Sequence, residues 1–222
     1  MQMTPDTAVA RNANGSRHRV HKLAVLISGR GSNLQAILDA IAGGRLDAVV
    51  AMVISNREDA QGLLRARSAG IEAIHLAPRA YADRDSYDRA IVDVLRPLGV
   101  DLICLAGYMR IVGPVLLEAY PNRIVNIHPS LLPAFPGLQA QRQALEYGVR
   151  VAGATVHVVD RTLDAGPIVL QSAVPVLDDD SVERLSARIL IEEHRIYPEA
   201  IGILLSGRWR VEGRRVVRPA GA

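Results

Sequence analysis

An amide and an imidazole stand two residues apart in Asn126-Ile127-His128-Pro129-Ser130-Leu131-Leu132-Pro133. On a strand that spacing points both side chains to one face, with Ile127 on the other. Pro129 stops the strand, so the pair is expected at its carboxyl end. Acyl transfer to an amine needs such groups, because a developing oxyanion requires preorganised donors and the nucleophile must shed a proton. A carboxylate stands further along, in Thr162-Leu163-Asp164-Ala165-Gly166-Pro167, a turn of small residues between apolar runs. Asp164 meeting His128 would favour the imidazolium and raise its pKa, and it could relay a proton from the nucleophile through water. The plainer alternative is a satisfied core histidine, an asparagine in a turn and an aspartate closing an Asx-turn.

A second constellation is Ser28-Gly29-Arg30-Gly31-Ser32-Asn33, between an apolar strand and a helical pattern. Two glycines permit a tight turn, and a helix N-terminus aims free N–H groups and a positive dipole at an anion. A Walker A loop would need Gly-Lys-Ser/Thr. A dinucleotide fingerprint would need glycine where Leu34 stands and an acid where Ser55-Asn56 stand. What remains is a small phosphate such as a phosphomonoester, or a plain turn with Ser32 and Asn33 as caps.

Other reactive residues point elsewhere. Cys104, the sole cysteine, lies in the apolar run Leu102-Ile103-Cys104-Leu105-Ala106 and reads as a small buried hydrophobe. It also excludes an internal disulfide and any multi-cysteine metal site. His157 has no second ligand at metal-binding spacing, so no metal is expected. No Gly-x-Ser-x-Gly elbow occurs, which disfavours a covalent acyl-enzyme. His194 follows Glu192 and Glu193 on a helix; a solvated face is the bland reading, though a carboxylate there could hold sugar hydroxyls.

These residues need a scaffold, and the hydrophobic pattern supplies one. Apolar strands are expected at 23–27, 49–54, 73–76 and 102–106, with helices from about 34, at 60–69 and at 85–95 between them. This alternation predicts an α/β fold with a single doubly wound, mostly parallel sheet, whose ligands bind at the carboxyl ends of the strands. Further on, a short helix at 114–120, strand 124–127, helix 139–147, β-runs 154–159 and 168–176, a helix at 181–205 and a hairpin at 209–217 are expected. Residues 1–21 lack any period and read as a disordered leader, 22–218 as one domain and 219–222 as a tail. With 222 residues, 49% of them apolar, the chain can build a full core. Its net charge of +3 resides in the ends: residues 1–22 carry +3 and 207–222 carry +4, leaving −4 between them. That body has no electrostatic footprint for nucleic acid. With no secretory h-region and no membrane-length apolar stretch, a cytoplasmic location is expected.

The sequence resembles the phosphoribosylglycinamide formyltransferases, the folate-dependent glycinamide ribonucleotide transformylases, from about Lys22 to Arg218. The resemblance rests on Leu26-Ile27-Ser28-Gly29-Arg30-Gly31-Ser32-Asn33-Leu34-Gln35 and on Leu105-Ala106-Gly107-Tyr108-Met109-Arg110-Ile111. It rests also on Asn126 to Pro133, on Gly153-Ala154-Thr155-Val156-His157 and on Asp164-Ala165-Gly166-Pro167. It implies a Rossmann-like fold and transfer of a formyl group from 10-formyltetrahydrofolate, as co-substrate, to the glycinamide amine in purine synthesis. Asn126, His128 and Asp164 match the catalytic triplet. Gly31, Ser32 and Asn33 match the phosphate cradle, and Glu193 the ribose contact. Met109, Arg110, Ile111 and Val112 match the folate segment, Asp160, Arg161, Thr162, Leu163 and Asp164 the loop around the pterin, and Arg84 a residue near the glutamate tail. Asn126 also belongs to the folate contacts. Gln139 and Gln141 stand where many relatives carry histidines, a departure expected to alter local hydrogen bonding. The implied partners are the two small-molecule substrates, with no metal, nucleic acid or membrane, in a monomer or homodimer.

Two other enzymes share the Asn/His/Asp core. Formyltetrahydrofolate deformylases give the formyl group to water but carry an N-terminal regulatory domain, for which 21 residues leave no room. Methionyl-tRNA formyltransferases carry a C-terminal tRNA-binding domain, larger than the short basic hairpin expected here. A non-catalytic module holding a phosphate ligand is the alternative outside enzymes.

Overall fold

The structure, a computed structural model, describes residues 9–11 and 17–219. Strands β1 (Val9–Arg11) and β2 (Arg17–Arg19) form a short antiparallel ladder of their own. The rest of the expected leader up to residue 16 lies outside the described residues.

From His21 the alternation read from hydrophobicity is realised. Strand β3 (His21–Ile27) leads into α1 (Ser32–Ala42), β4 (Ala48–Ser55), α2 (Gln61–Ser68), β5 (Ala73–His75), α3 (Arg84–Leu95) and β6 (Leu102–Leu105). Then follow α4 (Pro114–Ala119), β7 (Ile124–His128), α5 (Ala140–Tyr147), β8 (Val151–Val158), β9 (Ile168–Pro175) and α6 (Val182–Leu205). Strands β10 (Arg210–Glu212) and β11 (Arg215–Val217) make the terminal hairpin. Local signals set several ends. Asp83 caps α3 in a reciprocal capping box with Ser86, Ser181 accepts from the Arg184 N–H at the start of α6, and Gly44 takes the left-handed conformation after α1.

The main sheet runs β10-β11-β9-β8-β7-β6-β3-β4-β5. Its β7-β6-β3-β4-β5 part is parallel, whereas β8 is antiparallel to both β7 and β9. The chain moves outward from β3 to β5 and then returns to the other side of β3 as β6. The crevice between the carboxyl ends of β3 and β6 is therefore the topological switch point, where an open α/β sheet takes its ligand. Helices cover both faces. Leu23, Val25 and Ile27 of β3 join a core with α1 and α6, while Ala24 and Leu26 join Tyr87, Ile91 and Leu95 of α3 in a second. Burial of β3 on both faces explains its unbroken apolar run. Cys104 is fully buried, and burial pushes its thiol pKa up, so it is an inert packing residue.

Candidate active site

Two cavities open at the switch point. The larger, about 610 Å³, is lined by the loop 28–33, by Ala106, Gly107 and Met109 after β6, by Ile127 and Pro129, and by one face of α6 including Glu193. The smaller, about 90 Å³, is lined by Leu105, Tyr108, residues 110–112, Asn126, His157 and the loop 159–164. The segment 109–112 borders both, Met109 on one side and Arg110 on the other.

The glycine loop is built by backbone contact. Gly31 sits at φ +72°, and a Cβ there would lie 2.6 Å from the Gly62 Cα. Only glycine fits that approach, which presses the loop onto α2. Gly29, by contrast, has open space where a Cβ would stand and no positive φ. No side chain caps α1, so the reading of Ser32 and Asn33 as caps is not what is found. The Asn33 amide turns away and donates to Glu193 Oε2 at 2.7 Å, while its Oδ1 is buried without a hydrogen-bond partner. The first N–H groups of α1 thus face the larger cavity with no side-chain competitor. Burial raises the Glu193 carboxyl pKa, against the opposing hydrogen bond from Asn33 and the charge of Arg30.

Ser28, absent from the sequence-derived set, joins the two sides of the crevice. Its N–H donates to the Gly107 carbonyl at 3.1 Å. Its hydroxyl donates to Asn56 Oδ1 at 2.5 Å and accepts from the Met109 N–H at 2.8 Å. Met109 is thereby fixed at the crevice with its side chain 62% exposed.

The structure brings His128 to Asp164, with His157 on the other side of that carboxylate and Asn126 beside His157. His128 Nδ1 stands 3.5 Å from Asp164 Oδ2, and His157 Nε2 stands 3.6 Å from Asp164 Oδ1. Asn126 Nδ2 lies 3.2 Å from His157 Nε2. The carboxylate therefore sits between two imidazoles. The pairing of β7 with β8 makes this meeting, since its register sets Asn126 opposite His157 and His128 opposite Thr155. The loop after β9's partner strand does the rest: Asp164 takes φ +50°, a left-handed turn that aspartate tolerates, and accepts the Gly137 N–H at 2.8 Å.

The proton positions follow from the partners. A carbonyl only accepts, so His128 Nε2, 2.9 Å from the Phe135 carbonyl, carries a hydrogen. His157 Nδ1, 3.2 Å from the Val158 carbonyl, carries one likewise, which leaves Nε2 as acceptor for one N–H of Asn126. The second N–H of that amide is left for a ligand. Burial on its own would raise the Asp164 carboxyl. The approach of His157, the hydrogen bond from the Gly137 N–H and the second proton that His157 Nε2 or His128 Nδ1 can take beside it outweigh burial and hold the group below the usual carboxylate range.

Asn126, His157 and Asp164 line the smaller cavity, while His128, almost fully buried, lines neither. His128 thus faces the cavity through Asp164. Its loop is pinned from β8: the Thr155 hydroxyl donates to the Ser130 carbonyl at 2.7 Å and accepts the Leu132 N–H at 3.0 Å. Gln171 of β9 donates to the Leu132 carbonyl at 2.9 Å. The sequence signal for Thr155 and His157 was the recurrence of polar residues with period two in an otherwise apolar strand.

The remaining expected contacts divide. Arg110, Ile111, Val112 and all of Asp160, Arg161, Thr162 and Leu163 line the smaller cavity. Arg110 stacks over the Tyr87 ring, 5.0 Å from its centroid. Arg161 pairs with Glu118, and Asp160 accepts the Thr162 N–H. Arg84 borders neither cavity; it begins α3 beside Gly113. Gly31, Ser32, Asn33 and Glu193 line the larger cavity together, as does Gln141.

Comparison with known proteins shows the family. Residues 21–201 match the formyl transferase family. The chain is 46% identical over 189 residues to the phosphoribosylglycinamide formyltransferase of Escherichia coli K12, covering 85% of this chain and 89% of that protein. It is 44% identical over 204 residues, 91% of its length, to the trifunctional purine biosynthetic protein adenosine-3 of Drosophila melanogaster, of which it spans 15%. Among solved structures, glycinamide ribonucleotide transformylase 1 from Symbiobacterium toebii superimposes with a TM-score of 0.89 at 60% identity, covering 91% of this chain and 96% of that one. The chain belongs to the formyl transferase family.

Proposed function

We propose that this chain moves the formyl group of 10-formyltetrahydrofolate to the amine of 5-phosphoribosylglycinamide, in the cytoplasm and without a metal. The observation that carries the reading is the placing of Asn126 and Asp164 on one cavity, next to a second whose floor is a helix N-terminus. The larger cavity takes the ribonucleotide, its phosphate at residues 31–33 and its sugar at Glu193. The smaller takes the reacting end of the folate. Leu105, Ile111, Val112 and Leu163 give it apolar walls, and Asn126, Asp160 and Asp164 give it polar edges, a lining suited to a flat heterocycle.

In the transfer the amine nitrogen bonds to the formyl carbon, the bond from that carbon to folate N10 breaks, the amine gives up one proton and N10 gains one. The free N–H of Asn126 stabilises the charge developing on the formyl oxygen, a contribution on the order of 10²–10³ in rate. Asp164 is held ionised, so it can accept the amine proton through water and return one to the leaving nitrogen. His128 is fixed by Phe135 with Nδ1 toward Asp164, where a second proton would make it a cation behind that carboxylate, acting on the reacting centre through Asp164.

The test is to mix the protein with 10-formyltetrahydrofolate, with and without glycinamide ribonucleotide, and follow release of tetrahydrofolate. Release that depends on the amine is expected. Equal release in its absence would make the enzyme a deformylase, and none in either mixture would leave a binding module.

A further inference from the structure

The larger cavity poses an electrostatic problem for the ligand assigned to it. Its lining contains two carboxylates, Glu183 and Glu193, and a single cation among the described residues, Arg30. Hydrogen bonds from its own N–H and from Ser181, with the charge of Arg142 outside the lining, hold Glu183 below the usual range, so it is ionised at neutral pH. A phosphomonoester brought to the first turn of α1 would therefore meet like charge unless Arg30 answers it. Backbone N–H groups and the helix dipole answer part of that charge, and a cation at the loop would answer more of it.

Arg30 is placed to do so. It stands between the two loop glycines, immediately before Gly31, whose left-handed backbone sets the direction of the turn. Its carbonyl accepts from Arg65 Nε at 2.9 Å, which fixes the backbone from the α2 side. Its own guanidinium makes no hydrogen bond or ion pair with any described residue, though its charge reaches Glu193 across the cavity. A solvated surface arginine would share the lack of partners but not the position at the anion loop.

We propose that Arg30 is a ligand of the substrate phosphate, supplying the charge that the glycine loop lacks and making the enzyme selective for a phosphorylated over an unphosphorylated riboside. This rests on the reading of the larger cavity as the ribonucleotide site. A guanidinium suits the task because its fork matches two phosphate oxygens at once. The same cation acts on Glu193, so a bound phosphate would share it with that carboxyl.

The test uses calorimetric binding of ribose 5-phosphate to the full chain, alongside steady-state kinetics. Arg30→Ala should weaken ribose 5-phosphate binding about 10- to 100-fold, the scale of a charge-assisted hydrogen bond. The KM for the ribonucleotide should rise by a similar factor, with kcat and the KM for the formyl folate near wild type. Arg30→Lys should recover part of the loss, and raised salt should weaken binding more in wild type than in Arg30→Ala. Unchanged affinity in Arg30→Ala, or no measurable binding of ribose 5-phosphate to wild type, would overturn the proposal. Normal binding effects in a protein that turns over no ribonucleotide would overturn the functional reading and leave Arg30's role standing.

Discussion

The carboxylate of Asp164 is shared between His128 and His157, and that sharing sets its chemistry. Two imidazoles and a backbone N–H make the ionised form the favoured one even in a nearly closed site. Asp164→Asn keeps the shape and removes the charge. Its turnover is expected to fall at least ~100-fold, the scale of lost general acid–base catalysis, with the affinity for ribose 5-phosphate close to wild type. An unchanged rate would remove Asp164 from the mechanism. The same residue leaves a mark on stability. A carboxyl whose folded pKa is depressed stabilises the fold above its unfolded value, and that contribution disappears as pH falls through the folded one. Denaturant titrations below about pH 4 should therefore show wild type losing more stability than Asp164→Asn.

Among the elements, the turn from β3 into α1 is where one motif hides two different demands. Gly29 and Gly31 look equivalent in the sequence, and both touch Gly62, Gly29 by accepting its N–H at 3.0 Å, yet only Gly31 is left-handed with another backbone where a Cβ would stand. Gly31→Ala should cost about 1–2 kcal/mol from conformation alone, before the clash with Gly62 is counted. That corresponds to a fall in Tm of roughly 2–8 °C for a chain of this size, and the KM for the ribonucleotide should rise with it. Gly29→Ala should leave Tm within a degree or so. Thermal unfolding of the two variants checks the contrast; equal losses would mean that the loop is held by something other than the Gly31–Gly62 approach. Gly166 in the Asp164 turn is a similar case. A Cβ there would collide with the Val158 carbonyl, so the small residue allows the loop to lie against β8 and deliver Asp164 to the two histidines.

At the level of the whole molecule, the nine-stranded sheet carries the candidate site near its centre and a short hairpin at one edge. The switch point, both cavities and the β7-β8 pair that assembles the site lie toward the middle. The basic hairpin joins the sheet beside β9, where Arg215 stands opposite Ile168 and the Arg214 carbonyl accepts the Ile168 N–H at 3.3 Å. Ending the chain after Trp209 would keep the indole N–H bond to the Leu204 carbonyl, and β9 would keep its long ladder with β8. Such a variant is expected to retain kcat and both KM values within about twofold while losing a few degrees of Tm as Val216 is withdrawn from the core. A collapse of kcat, measured on protein that still unfolds cooperatively, would show that the hairpin reaches the site.

Much of this was written locally in the chain. The unbroken apolar run of β3, the helical spacing of α1 and α3 and the glycine after each stop fixed an alternating α/β order, because hydrophobic period and turn chemistry act over a few residues. Asn126 and His128 were legible as a pair for the same reason, being two apart on a strand that a proline ends. The −4 body between basic ends was also plain, since charge is counted without coordinates. Tertiary structure alone decided that His157 stands beside Asn126, that the Asn33 amide serves Glu193 instead of capping α1, that Arg84 lies away from both cavities and that Gly31 meets Gly62. Each of these is a spatial relation between segments set by strand register or helix docking, and neither is encoded in the spacing of any one segment.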